Sequence, residues 1–128
     1  MAADWAQKNG KAIEFASCGT RVTHGAQTTA DARLVLAQSG IPWCGTSQQL
    51  QAEDLRWADH VWVMTQEHLE FVVELGHSVN VAERPSVQLL HPHQDITDPL
   101  GLGVKSYHAL YAQLEALLPT RLVVLHGP

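Results

Sequence analysis

Two aspartates in the stretch HQDITDPLGLG, residues 93–103, have the side chains and the setting for proton transfer. Asp95 and Asp98 lie three residues apart, and Asp98 is followed by Pro99 and then by glycines that permit a tight bend. A carboxyl group on such a loop can act as a general acid if a nucleophile or an activated water lies within about 3 Å. The same carboxylate can instead brace its own turn by accepting amide hydrogen bonds, which is the role we favour for Asp98.

Cysteines and histidines are the other side chains that could take part in catalysis or bind a metal ion. Cys18 and Cys44 match neither a metal-binding nor a redox spacing, so we interpret both as structural thiols. His91 and His93 are two residues apart and have aspartates close by, which is a conceivable start for a metal site. Because no convincing third ligand accompanies them, we expect neither a metal ion nor another cofactor.

The composition limits the classes of partner. Eight Lys and Arg against thirteen Asp and Glu give a net charge of −5, which argues against nucleic acid and anionic membranes as partners. A small phosphorylated ligand held by backbone amides remains compatible with this charge. The first eleven residues lack the apolar core of a signal peptide, and we therefore expect a cytoplasmic protein. A length of 128 residues predicts a single domain, residues 1–128.

Short apolar runs alternate with longer segments of helical period, which is typical of an α/β domain with a parallel sheet. We predict a three-layer α/β/α sandwich with a four-stranded parallel sheet. The predicted strands are residues 12–16, 60–64, 87–90 and 121–125, and the predicted helices are roughly residues 1–9, 29–39, 47–57, 66–75 and 104–118. Pro119 is expected to end the last helix.

Four stretches are similar to successive parts of one known family. They read IEFASCGTRV, TTADARLVLAQSGI, TSQQLQAEDLRWADHVWVMTQEHLEFVVEL and SVQLLHPHQDITDPLGLGVKSYHALYAQLEALL. Together they resemble the low-molecular-weight protein tyrosine phosphatases, with their phosphoarginine-directed and arsenate reductase relatives. The resemblance implies a phosphorylated protein or a small phosphate compound as the ligand. It also implies that Asp98 is the general acid and that Asp95 supports its loop.

The nucleophile of that family is a cysteine in a Cys-x5-Arg-Ser/Thr loop, whose amides and arginine hold phosphate and lower the thiol pKa. Cys18 is followed by Arg21 after only two residues, and Cys44 has no arginine before Arg56. We therefore expect a family domain that is catalytically inactive. Two alternatives stay open: a module that binds a phosphoprotein or another partner through the vestigial pocket, and an active phosphomonoester hydrolase with an unrecognised nucleophile.

The family's first strand, which is central in its sheet, has no counterpart before Met1. The segment RLVVLHGP at residues 121–128 has no counterpart after the family's last helix, and its apolar core reads as that strand. We therefore predict a circular permutation in which Leu122 to Leu125 fill the first-strand position, with His126 and Gly127 where the phosphate loop would begin. His126 would then be a conceivable phosphate-accepting nucleophile. The alternative is an edge strand or tail on a truncated product.

Overall fold

The computed structural model describes residues 1–20, 29–41, 48–78 and 85–126, with residues 124–126 described for their backbone. Its elements form two compact units, one holding the sheet with its helices and the other built from helices. In chain order the elements are α1 (Ala2–Lys8), α2 (Ala30–Gln38), α3 (Ala52–Trp57), β1 (His60–Val63), α4 (Gln66–Ser78), β2 (Ser86–Leu89) and α5 (Val104–His126).

The first unit is a strand–helix–strand arrangement. β1 and β2 pair in parallel, with His60 opposite Ser86 and Val63 opposite Leu89, and α4 forms the connection between them. Its core consists of four buried side chains, against which half-buried apolar residues of the strands and of α4 pack. The buried four are Leu50, Leu55, Val63 and Val72. The predictions of strands at residues 60–64 and 87–90 are thus confirmed to within a residue or two.

The second unit is helical, and in it α5 packs against α1 and α2. Thr29 caps α2, because its Oγ1 accepts a hydrogen bond of 3.3 Å from the Ala32 amide. The same hydroxyl donates to Tyr107 Oη of α5 at 3.1 Å, so the start of α2 is tied to α5. Apolar side chains from all three helices are buried here: Ala6, Val35, Leu118 and Leu122. No helix among the described residues is long and apolar enough to cross a membrane.

The predicted strand at residues 12–16 is wrong, since this segment has no regular secondary structure. Most of it is exposed, and Phe15 keeps 37% of its surface in solvent. Within the described ranges its only backbone hydrogen bond runs from the Ile13 amide to the Lys11 carbonyl. A strand requires a neighbouring strand to receive its backbone groups, and this segment has none in the described part of the chain.

The prediction that residues 121–125 form a strand is also wrong. α5 continues through Pro119 to His126, so the described residues contain two strands and not four. Leu118 and Leu122 are both buried, at 9% and 1% exposure, and their spacing of four residues places them on one helical face. A helical segment does not take the place of a strand, so the described residues give no support to the predicted circular permutation. Burial of this face outweighs the tendency of Pro119 to end the helix.

The five predicted helices are confirmed, with differences at their ends. α3 begins at Ala52, because the Asp54 carboxylate accepts a hydrogen bond of 2.8 Å from the Gln51 amide and fixes the start of the helix. α4 runs three residues further than predicted, to Ser78, and α5 runs eight residues further, to His126.

Candidate functional site

The segment that carries Asp95 is hydrogen-bonded at one end to the last residue of β1 and at the other to the residue that follows β1. The Leu90 amide donates to the Val63 carbonyl, and the Ile96 amide donates to the Met64 carbonyl, both at 2.8 Å. Leu90 and Ile96 are themselves buried, at 4% and 2% exposure. The turn between them is therefore fixed at both ends to the carboxyl end of β1, the edge of a parallel sheet where ligand sites usually lie.

Asp95 connects this turn to α4. Its Oδ1 accepts a hydrogen bond of 2.9 Å from the amide of Gln66, the first residue of α4. Thr65 Oγ1 accepts from the His68 amide at 3.2 Å, so two of the helix's otherwise unpaired N-terminal amides are satisfied by side chains. The negative charge of Asp95 also lies at the positive end of the helix dipole. Asp95 thus holds the loop in place.

Asp98 braces its own turn, as the sequence predicted. Its Oδ1 accepts a hydrogen bond of 2.9 Å from the Leu100 amide, and the Leu102 amide donates to the Pro99 carbonyl at 3.0 Å. Gly101 and Gly103 adopt φ values of 77° and 89°, which side chains rarely tolerate. The carboxylate therefore has a local structural function in the turn that follows it.

Cys18 lies beside a short parallel bridge. The Gly19 amide donates to the Gln48 carbonyl and the Leu50 amide donates to the Gly19 carbonyl, both at 2.9 Å. Cys18 is exposed as a residue, yet burial of its thiol raises the pKa, and the negative charge of Asp54 raises it further. This environment favours the protonated thiol, whereas a thiol nucleophile reacts as the thiolate.

The two loop histidines contact one another. The His93 amide donates to Nδ1 of His91 at 3.1 Å, and the two rings meet edge to face with centroids 6.1 Å apart. In the described ranges, no three His, Cys, Asp or Glu side chains are grouped so that they could hold a metal ion. Cys44 and Gly127 lie outside the described residues, and His126 is seen as the last helical residue of α5.

Two partners of the candidate residues were not predicted from the sequence. Thr65 ahead of an amphipathic run signals the start of α4, but nothing in the sequence shows that Asp95 supplies the second capping group. The closeness of Asp54 to Cys18 likewise depends on the pairing of Gly19 with Gln49. Both are interactions between residues far apart in the chain, one a hydrogen bond and the other electrostatic.

Comparison with known proteins identifies the family. The family described as low molecular weight phosphotyrosine protein phosphatase matches residues 1–125. A protein-arginine-phosphatase of Geobacillus stearothermophilus is 31% identical over 107 residues, which are 83% of this chain and 72% of the relative. The solved YwlE arginine phosphatase of the same organism has a TM-score of 0.82 at 27% identity, covering 98% of this chain and 82% of that one. A low molecular weight protein tyrosine phosphatase from T. tengcongensis shares the fold, with a TM-score of 0.84 at 23% identity over 94% of this chain and 84% of its own. The chain belongs to the low-molecular-weight protein tyrosine phosphatase family.

Proposed function

We propose that these 128 residues form a phosphatase-family domain that has little or no phosphatase activity of its own. The family relationship suggests phosphorylated protein side chains as the substrate class. Phosphoarginine comes first, because the relative that is 31% identical is a protein-arginine-phosphatase. Phosphotyrosine is the second candidate, because the family that matches residues 1–125 is described as a phosphotyrosine protein phosphatase.

The environment of Cys18 is the observation that carries the proposal of inactivity. Phosphate transfer to a thiol requires a thiolate, which is generated where amides, arginine or a helix N-terminus lower the thiol pKa. Burial and the charge of Asp54 act in the opposite direction on Cys18. A negative charge next to the thiol also disfavours the approach of a phosphate dianion. The spacing from Cys18 to Arg21 is too short for a phosphate-binding loop of the Cys-x5-Arg kind.

The bonding of Asp98 supports the same proposal. Its Oδ1 accepts the Leu100 amide within its own turn, and no Cys-x5-Arg sequence in the 128 residues supplies a nucleophile for it to assist. We propose that Asp98 retains the geometry of an acid loop and acts here as a turn brace. Asp95 then supports that loop through Gln66, and neither carboxylate takes part in turnover.

An activity assay tests this proposal. The purified chain is incubated with a chromogenic phosphate monoester, with a phosphoarginine peptide and with a phosphotyrosine peptide, and released phosphate is measured. We expect rates equal to the buffer blank for the wild type and for the Cys18→Ser and Asp98→Ala variants. Circular dichroism establishes that each sample is folded. Turnover above the blank that disappears in either variant would show that the chain is an active enzyme, and the better peptide would then identify its substrate.

A further inference from the structure

Asn9 lies at the end of α1 and is followed by a glycine. Asn9 and Gly10 are both exposed. Gly10 adopts a φ of 64°, and among the described residues no heavy atom beyond its chain neighbours lies within 4 Å of the place where a Cβ would stand. The backbone nitrogen that follows an asparagine can attack the side-chain amide, and a glycine nitrogen does so with the least steric hindrance because glycine has no side chain. The Asn9-Gly10 pair therefore combines this chemistry with open surroundings.

We propose that Asn9 is a site of spontaneous deamidation in the folded domain, and that the reaction proceeds through opening of the last turn of α1. The Gly10 nitrogen attacks Cγ of Asn9 and forms a cyclic imide, while the Cγ–Nδ2 bond breaks and ammonia leaves with the proton of the Gly10 amide. Water then adds to either carbonyl of the ring and returns a proton to the Gly10 nitrogen. The products are aspartate and isoaspartate, and water is the only co-reactant. This proposal does not rest on the proposed function.

The native hydrogen bonds direct the two reacting groups to different acceptors. The Nδ2 atom of Asn9 donates to the Trp5 carbonyl at 2.8 Å, and the backbone amide of Asn9 donates to the same carbonyl at 3.0 Å. The Gly10 amide donates to the Gln7 carbonyl at 3.3 Å, as the residue after a helix C-cap commonly does. The bonds of Nδ2 and of the Gly10 amide must both break before the ring can close. The closed last turn of α1 therefore slows the reaction.

Opening of this turn disrupts little of the packing. Ala6 is the buried residue of α1, whereas Gln7, Lys8 and Asn9 after it are all exposed. The ends of helices fray, and segments with few buried apolar contacts open at a small cost in free energy. We therefore expect Asn9 to deamidate in the folded domain, although more slowly than in the unfolded chain.

The products destabilise the turn in which they form. A carboxylate in place of the Asn9 amide has no hydrogen to donate to the Trp5 carbonyl. Its negative charge also lies at the C-terminal end of α1, where the helix dipole is already negative. Isoaspartate lengthens the backbone by a methylene group and so displaces the Gly10 amide from the Gln7 carbonyl. Deamidation therefore leaves the end of α1 more open than before.

Peptide mapping by mass spectrometry tests the site. The full chain is incubated in mildly alkaline buffer, folded without urea and unfolded with it, and the conversion of amide to acid is measured at each asparagine. Asn80 is the other asparagine of the 128 residues, and it is the internal control because the β-branched Val81 after it hinders the attack. We expect Asn9 to convert faster than Asn80, and several-fold more slowly in buffer than in urea. No conversion of Asn9 in buffer, or conversion as fast as in urea, would overturn the proposal.

A pair of variants at Gln7 tests the role of helix opening. Gln7 is exposed, and its contribution to the bond with Gly10 is a backbone carbonyl, which both Gln7→Gly and Gln7→Ala retain. Glycine lowers helix stability relative to alanine, so Gln7→Gly should deamidate about fivefold faster than Gln7→Ala in buffer. The two variants should react at equal rates in urea, and circular dichroism verifies that both fold in buffer. Equal rates in buffer would show that opening of α1 does not control the reaction, and would refute the proposal.

Discussion

The Oδ1 atom of Asp95 lies 2.9 Å from the backbone nitrogen of Gln66, 29 residues earlier in the chain. This contact joins the loop after β2 to the start of the helix that follows β1. The first amides of a helix have no partner inside the helix, and a side-chain oxygen that accepts from one of them stabilises the helix and its surroundings. Asp95 therefore contributes to folding whether or not the domain performs catalysis.

Replacing Asp95 tests this contact. We expect Asp95→Ala to lower the free energy of unfolding by about 0.5–2 kcal/mol, the usual range for loss of a helix cap. Asp95→Asn keeps an acceptor oxygen and should recover most of the difference, apart from the smaller charge interaction with the helix dipole. Urea denaturation of the three proteins measures it. Equal destabilisation by Ala and Asn would mean that the charge, and not the hydrogen bond, is the stabilising feature.

The thiol of Cys18 should react slowly at neutral pH. Burial raises its pKa and the charge of Asp54 adds to this, so we expect the pH midpoint of iodoacetamide alkylation, measured in a Cys44→Ser background, to exceed that of a cysteine peptide. Asp54→Asn should move the midpoint down only in part, because burial is the larger cause. Because the pKa of Cys18 is raised in the folded state, its contribution to the free energy of unfolding is fully present at pH values below the pKa of the unfolded chain. That contribution is lost as the pH rises through the folded-state pKa.

A midpoint in the wild type that equals the peptide value would contradict this description of Cys18. Asp54 also caps the start of α3 through the Gln51 amide, and asparagine preserves that acceptor. The comparison of Asp54→Asn with wild type therefore isolates the effect of charge on the thiol.

Pro119 lies inside α5, where it supplies no amide to the turn before it. Pro119→Ala restores the donor and removes the steric conflict of the ring, so we expect the domain to become more stable, by up to about 3 kcal/mol. Thermal unfolding followed by circular dichroism measures this. Pro85→Ala, at a proline outside the helices, is the control and should give no comparable gain. Destabilisation by Pro119→Ala would show that residues 120–126 do not continue the helix.

Leu122 should be among the most sensitive apolar positions of the helical unit. It is 1% exposed, and Leu122→Ala is expected to lower the free energy of unfolding by about 2–5 kcal/mol through lost burial and the cavity that remains. Leu100→Ala makes the same chemical change at a residue that is 63% exposed, and should alter stability by less than about 0.5 kcal/mol. Similar denaturation midpoints for the two variants would contradict the burial of Leu122.

Features formed by neighbouring residues could be predicted from the sequence. The turn at Asp98 follows from an aspartate before a proline with glycines behind it, since its hydrogen bond to the Leu100 amide spans two residues. The helix α4 follows from its periodic apolar residues after Thr65, and β1 and β2 follow from short apolar runs on either side of it. Family membership also followed from the order of such stretches.

Only the tertiary structure decided the state of the two segments that were predicted as strands. Residues 12–16 and 121–125 have similar apolar sequences, yet the first has no strand partner in the described part of the chain and the second is helical. A strand needs backbone partners from another part of the chain, and its own sequence does not reveal whether they are present. Residues 121–125 are helical because a turn of α5 brings Leu122 into line with the buried Leu118. Hydrogen bonds between residues close in sequence can therefore be predicted from the sequence. Strand pairing and side-chain burial depend on residues that only the folded chain brings together.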